Sequence, residues 1–153
     1  MPTGWRIVLE EHATKAFDGE GAKLFGGRWN SVGVALVYAS KHKSLAALET
    51  LVHIDATRKR KPYKCFAFHF DQALMEILPA AKLPKNWRQE PPSPSIQQLG
   101  DAWVTAATSA ILAVPSIVIP EEFNYLLNVK HPDFAKIKID KPTDFAFDQR
   151  LLK

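Results

Sequence analysis

Gly26-Gly27-Arg28-Trp29-Asn30 places two glycines, a permanent cation, an indole and an amide side by side. The glycines allow a tight turn and a close approach of backbone to a ligand. The guanidinium that follows can fork onto a phosphate or a carboxylate. A second polar cluster runs from Ser116 to Asn128 and continues into His131-Pro132. Two such clusters, far apart in the chain, predict one site assembled from distant segments. A ligand both anionic and aromatic suits that site, and a dinucleotide is the natural candidate.

The 153 residues suffice for one domain, 1–153, with a sizeable core. A hydrophobic fraction of 46% and four Trp exclude a disordered chain. The net charge of +4 favours phosphate-bearing or acidic partners without choosing among them. Much of that excess lies in Arg58-Lys59-Arg60-Lys61, read as a solvated loop. Cys65 is the only cysteine, so no intrachain disulfide can form, and it reads as strand packing. No signal-peptide pattern opens the sequence, and its apolar runs fall far short of the ~20 residues that span a bilayer. The expectation is a cytoplasmic protein that does not enter membranes.

Hydrophobic periodicity predicts strands at 5–9, 34–39, 63–70, 114–119 and 134–139. It predicts helices at 44–54, with Ser44 as N-cap and Leu45, Leu48 and Val52 as the apolar stripe, and at 96–113, with Leu99, Trp103, Ala106 and Ala110 inward. Residues 14–30 read as a long polar loop, 79–95 as an ordered loop around Trp87, and the tail 145–152 as packing back. Strands scattered between two modest helices, without βαβ alternation, predict an α+β fold with mixed, mostly antiparallel sheet.

Arg28 is the leading candidate for binding an anion. Glu49 lies at the edge of an apolar helix stripe, where a carboxylate is either exposed or used. Tyr38 shares a strand face with Val34 and Leu36, and Ser116 follows Pro115 on a strand; both also read as ordinary packing. Phosphate-cradling glycine loops, paired zinc-ligand spacing among the five His and a Gly-x-Ser-x-Gly context are all missing, so no metal is expected.

The chain resembles the RES-domain toxins, the toxic half of bacterial RES–Xre toxin–antitoxin pairs. The resemblance runs nearly end to end. It is carried by Trp5-Arg6-Ile7, Gly19-Glu20-Gly21-Ala22, Gly26 to Asn30, Gly33 with Tyr38-Ala39, and Ala46-Ala47-Leu48-Glu49 with His53. It continues through Leu83 to Arg88, Gly100-Asp101-Ala102-Trp103, Val114-Pro115-Ser116, Pro120 to Asn128, His131-Pro132 and Phe147 to Leu151. Two positions depart from the pattern. Ser31 stands where the proline after Gly-Gly-Arg-Trp-Asn is usual, and Asn128-Val129-Lys130-His131-Pro132 replaces Asn-Pro-His-Pro.

The resemblance implies an ADP-ribosyltransferase-like fold around an NAD⁺-binding cleft. It implies cleavage of the nicotinamide–ribose bond, depleting cellular NAD⁺ as a glycohydrolase or phosphorylase, or else ADP-ribosylation of a protein; the sequence does not choose among water, phosphate and protein as the acceptor. Its functional residues fall on Arg28, Tyr38, Glu49 and Ser116 as the catalytic set. Arg6, Arg28, Tyr38, Ser116 and Asn124 fall in the NAD⁺-binding set. NAD⁺ is thereby a substrate. A cognate Xre-family antitoxin covering the cleft is the implied partner, with a homodimer built on Trp87, Phe145 and Phe147 as a further expectation. Direct nucleic-acid binding is not expected: the basic run at 58–61 alone supports an RNA-binding or RNA-cleaving toxin, and it lacks interleaved aromatics.

Overall fold

The computed structural model describes residues 1–58 and 60–153. Eight strands, β1 (Thr3–Leu9), β2 (Val37–Ser40), β3 (Tyr63–His69), β4 (Met75–Ile77), β5 (Ile111–Pro115), β6 (Phe123–Leu127), β7 (Lys138–Ile139) and β8 (Thr143–Phe145), form one sheet. Three helices accompany them: α1 (Glu20–Phe25), α2 (Lys43–Leu51) and α3 (Pro94–Ala106). The strand order is β4-β5-β6-β2-β1-β3-β7, with β8 also pairing β3. Only β4 and β5 run parallel, and α3 lies on the connection between them. The expected α+β class with a mixed, mostly antiparallel sheet is the observed one.

Strand alternation gives the sheet two buried faces. On one face Val37, Ala39, Ile111, Ala113, Tyr125 and Leu127 pack with Phe68 and Phe70. On the other, Leu36, Leu112, Val114 and Leu126 pack under α3 together with Trp29, Ile96 and Trp103. The same second face continues across β1 and β3, where Ile7 and Cys65 pack with Ala46 of α2 and with Phe147. So α3 and the loop bearing Trp29 cover one half of this face, and α2 covers the other half. Tyr38 and Ser40 of β2, with Asn124 of β6, carry the face between the two covers.

Several elements differ from the expectation, each for a local reason. The segment 14–30 is not one long loop: it carries the end of a short 3-10 helix, Glu10–Lys15, and then α1, whose Glu20 N–H is taken by the Asp18 side chain. Helix α2 begins one residue before Ser44, with His42 at the cap position and no side-chain cap bond. Its buried residues are Leu45 and Ala46, whereas Val52 is exposed.

The predicted helix over 96–113 divides. Ala107 takes a left-handed backbone at φ 52° and ends α3, and β5 begins at Ile111. A short apolar run buried on both faces has no periodicity that separates strand from helix. Ser116 consequently lies just past the end of β5 rather than within a strand. Strand β6 is not anticipated by the pattern, nor are the short β4 and β8. The predicted strand at 134–139 is a 3-10 turn, Pro132–Lys136, followed by the brief β7.

Cys65 is buried in strand packing as expected. Of the basic run, Arg58, Arg60 and Lys61 are exposed, and Lys59 lies outside the described residues. The rings expected to mediate a homodimer are used inside the chain. Phe147 is buried, edge-on to Tyr63 at 5.4 Å and to Phe145 at 5.0 Å. Trp87 packs half-buried against the cluster around Trp29. No helix among the described residues is long and apolar enough to cross a membrane.

Candidate active site

Glu49, Ser116 and Asn124 come from three separate segments and meet at hydrogen-bond distance. The Asn124 amide nitrogen donates to one Glu49 carboxylate oxygen at 2.8 Å, and the Ser116 hydroxyl donates to the other at 3.2 Å. Ser116 is itself fixed. Its oxygen accepts the main-chain N–H groups of Val118 and Ile119 at 3.0 and 3.1 Å. Its own N–H donates to the Glu122 carbonyl at 2.9 Å, closing the turn between β5 and β6. Ser116 is fully buried, Asn124 nearly so, and Glu49 half-buried. A carboxylate that receives a donor on each oxygen is held in one orientation.

Asn124 is held from its other side by Ser40, whose hydroxyl donates to the Asn124 side-chain oxygen at 2.7 Å. Ser40 and Asn124 are register partners in the β2–β6 pairing, so the sheet itself sets this contact. Nothing in the local sequence marks Ser40. A serine ending a strand is common, and only the pairing of β2 with the unanticipated β6 places it here.

The Gly26-to-Asn30 loop leans on α3. The Gln97 amide donates to the Gly27 carbonyl at 3.0 Å. Asp101 accepts both the N–H and the hydroxyl of Ser31, at 2.9 and 2.6 Å. These two bonds use the position where proline is usual in the resembled family, since proline could donate neither. Gly100 permits the close packing: a Cβ there would stand 1.7 Å from the Trp29 carbonyl oxygen. Gly27 does the same on the other side, where a Cβ would stand 2.6 Å from the Tyr38 hydroxyl.

That hydroxyl accepts the Trp29 N–H at 3.0 Å and donates to the Asn30 side-chain oxygen at 2.6 Å. Asn30, with no exposed surface, spends its amide hydrogens on the carbonyls of Ala22, Ser31 and Val34. Burial pushes the Tyr38 phenol well above its ordinary range, opposed by the Trp29 N–H. Tyr38 thus anchors the Arg28 loop by its hydroxyl and leaves its ring on the site face of the sheet.

Arg28 is engaged within the chain. Its guanidinium donates to the carbonyls of Trp87 and Gln89, at 3.3 and 2.8 Å, and pairs with the Glu90 carboxylate. Arg88, from the same 87–90 segment, donates to the Ile117 carbonyl at 2.8 Å, next to Ser116. The segment therefore spans from Arg28 to the Ser116–Glu49 cluster. Arg6 stands apart from that cluster. Alternation along β1 turns it away from the face of Trp5 and Ile7. It donates to the Ala16 and Tyr38 carbonyls, each at 2.6 Å. Burial lowers its guanidinium to about 10, opposed by the charge of Asp18, so it remains a cation at neutral pH.

The structure thus brings together Glu49, Ser116 and Asn124, adds Ser40, and ties Tyr38 to the Arg28 loop. No group of three or more His, Cys, Asp and Glu among the described residues is arranged to hold a metal ion.

Comparison with known proteins identifies the family. The RES domain model matches residues 3–148. "Toxin Res" of Yersinia enterocolitica is 36% identical over 148 residues, spanning 96% of this chain and 97% of its own. "Prs ADP-ribosylating toxin" of Sphingobium sp. is 36% identical over 156 residues, spanning 97% of this chain and 96% of its own. Among solved structures, a chain of the Mycobacterium tuberculosis MbcT-MbcA toxin-antitoxin complex superposes with a TM-score of 0.75 over 94% of this chain and 83% of its own, at 16% identity. That likeness is one of fold. A family match over nearly the whole length, with relatives above a third identical across it, establishes that this chain belongs to the RES domain family.

Proposed function

We propose that this chain is the toxin of a toxin–antitoxin pair and that it breaks the nicotinamide–ribose bond of NAD⁺. The observation that carries the chemistry is the Glu49 carboxylate, oriented by Ser116 and Asn124. When the C1′–N bond breaks, the bonding pair leaves with neutral nicotinamide and positive charge develops on the ribose. A fixed carboxylate beside that carbon stabilises the charge as it forms. Water then attacks C1′, loses its proton and yields ADP-ribose; Glu49 is the group suited to accept that proton. Ser116 and Asn124 keep the carboxylate from collapsing elsewhere. Tyr38 offers its ring to the nicotinamide side. Arg28 supplies a forked cation for the pyrophosphate once the 87–90 segment yields it. Arg6 braces the Tyr38 strand through its carbonyl. The names carried by the Yersinia and Sphingobium relatives support a toxin, and the fold shared with a chain of a toxin-antitoxin complex supports an antitoxin partner. A helical Xre-type antitoxin covering the cleft fits this reading.

A second reading keeps the same first step and changes the acceptor to a protein side chain. The name of the Sphingobium relative, an ADP-ribosylating toxin, favours it. One experiment tests both. Purified chain is incubated with NAD⁺ and chelator, with and without bacterial lysate, and free nicotinamide, ADP-ribose and labelled protein are measured. Nicotinamide with free ADP-ribose supports the first reading. Label on protein supports the second. No nicotinamide in either arm overturns both.

A further inference from the structure

Ser40 is 2% exposed, and its hydroxyl reaches the one amide that holds Glu49. We propose that Ser40 is a positioning residue for Glu49, acting through Asn124; the proposal rests on the role given to Glu49 above. The reason lies in the direction of the hydrogen bonds. An ionised carboxylate only accepts, so Asn124 must turn its NH₂ toward Glu49. Its side-chain oxygen then faces β2 and needs a donor there. Ser40 is that donor, at 2.7 Å, from the register position directly opposite. Without it, Asn124 would keep a buried acceptor unpaired, and the amide could rotate its oxygen toward the carboxylate. A flipped amide would repel Glu49 rather than hold it.

The contact is also pre-set by the fold. Ser40 is paired with Trp5 of β1 on one side and with Asn124 of β6 on the other, in the middle of the sheet. A buried serine in a strand often satisfies itself on a nearby carbonyl. Here its hydroxyl is spent instead on the amide that reaches the candidate carboxylate, so the sheet's register is transmitted to the orientation of Glu49. Ser116 fixes the other carboxylate oxygen through its own turn, so the two oxygens are held by independent elements.

The test uses the full chain and three variants: Ser40→Ala, Ser40→Val and Ser40→Thr. Thr and Val have the same shape and differ by the hydroxyl, which separates donation from packing. Expected is a kcat for nicotinamide release lowered about tenfold in Ser40→Ala and Ser40→Val, the effect of one lost orienting hydrogen bond. KM should move by less than about twofold, because the carboxylate acts on the developing charge rather than on ground-state binding. Ser40→Thr should restore most of the rate. A second readout does not depend on turnover. The Asn124 side-chain amide signal, identified by its loss in Asn124→Asp, should shift in the Ala and Val variants and stay in place in Thr. Wild-type kcat in Ser40→Val, equal losses in Thr and Val, or an unmoved Asn124 signal each overturn the proposal. A wild-type chain that releases no nicotinamide defeats the reaction assigned to Glu49, and the amide signal then decides alone whether Ser40 orients Asn124.

Discussion

Arg28 and Glu90 form an ion pair that crosses from the glycine loop to the 87–90 segment, with the Arg28 side chain 12% exposed and that of Glu90 69% exposed. The cation proposed to receive the pyrophosphate is therefore occupied by a carboxylate of the chain itself. An anionic ligand and Glu90 compete for the same guanidinium. The segment that carries Glu90 is also tied to the Ser116 turn through Arg88 and Ile117, so displacing it touches both halves of the site.

Glu90→Gln should lower KM for NAD⁺ by up to about fivefold at similar kcat, the range that an exposed ion pair can contribute. The gain should shrink in high salt, which already weakens the pair. Steady-state kinetics at two ionic strengths checks this. An unchanged KM would make the pair a structural clasp for the 87–90 segment and nothing more.

Glu49→Gln keeps the shape of the side chain and removes its charge. Turnover should fall by about 10²-fold or more, as for other positioned catalytic groups. The fold should be retained, because Ser116 keeps its main-chain donors from Val118 and Ile119. Kinetics paired with a thermal melt is the measurement. Near-normal turnover in a folded Glu49→Gln protein would remove the carboxylate from the chemistry.

Gly100→Ala should destabilise the protein by about 1–3 kcal/mol, as overpacking does. The added carbon would meet the Trp29 carbonyl oxygen at 1.7 Å, and that atom is backbone of the Arg28 loop. Activity should fall with stability, since the loop must lift off α3. Denaturant unfolding of Gly100→Ala against wild type gives the number, and equal midpoints would mean that the Trp29 backbone does not pack on Gly100 in solution.

All three tyrosines, Tyr38, Tyr63 and Tyr125, have phenols raised above 10.0 by burial. The sign follows from proton linkage. Above the unfolded value the unfolded chain has lost protons that the folded chain retains, so stability is intact below pH 10 and declines as pH rises past it. A near-ultraviolet absorbance titration should show no tyrosine ionising at its ordinary pH, with ionisation coinciding with unfolding. A separate phenol titration in a folded protein would show one ring to be solvated.

Expression of the chain alone should arrest bacterial growth, with falling NAD⁺ as the earliest change. Co-expression of a cognate antitoxin should restore growth. A time course of NAD⁺ and of culture density is decisive between the two acceptors: arrest with undiminished NAD⁺ assigns the chain to protein modification.

The sequence by itself determined the α+β class, the strand at Tyr63 to His69, the presence of α2 and the residues worth watching. Those features are local: alternation, helical spacing and a glycine pair beside a cation are written in adjacent positions. The resemblance to the RES domain family was legible as well, from the order and spacing of short blocks. What adjacency could not decide was the fate of the apolar run through Ile111 to Val114, because burial on both faces erases the period that distinguishes strand from helix. With β5 misplaced, β6 had no partner to reveal it, and Ser116 could not be put at the turn where its hydroxyl meets Glu49. Only tertiary structure set the β2–β6 register, and with it Ser40 against Asn124 and Asn124 against Glu49. It also decided that Arg28 and Arg6 are already engaged. A guanidinium half-buried against a sheet must find acceptors, and which carbonyls or carboxylates lie within reach depends on segments tens of residues away, beyond the range of any local pattern.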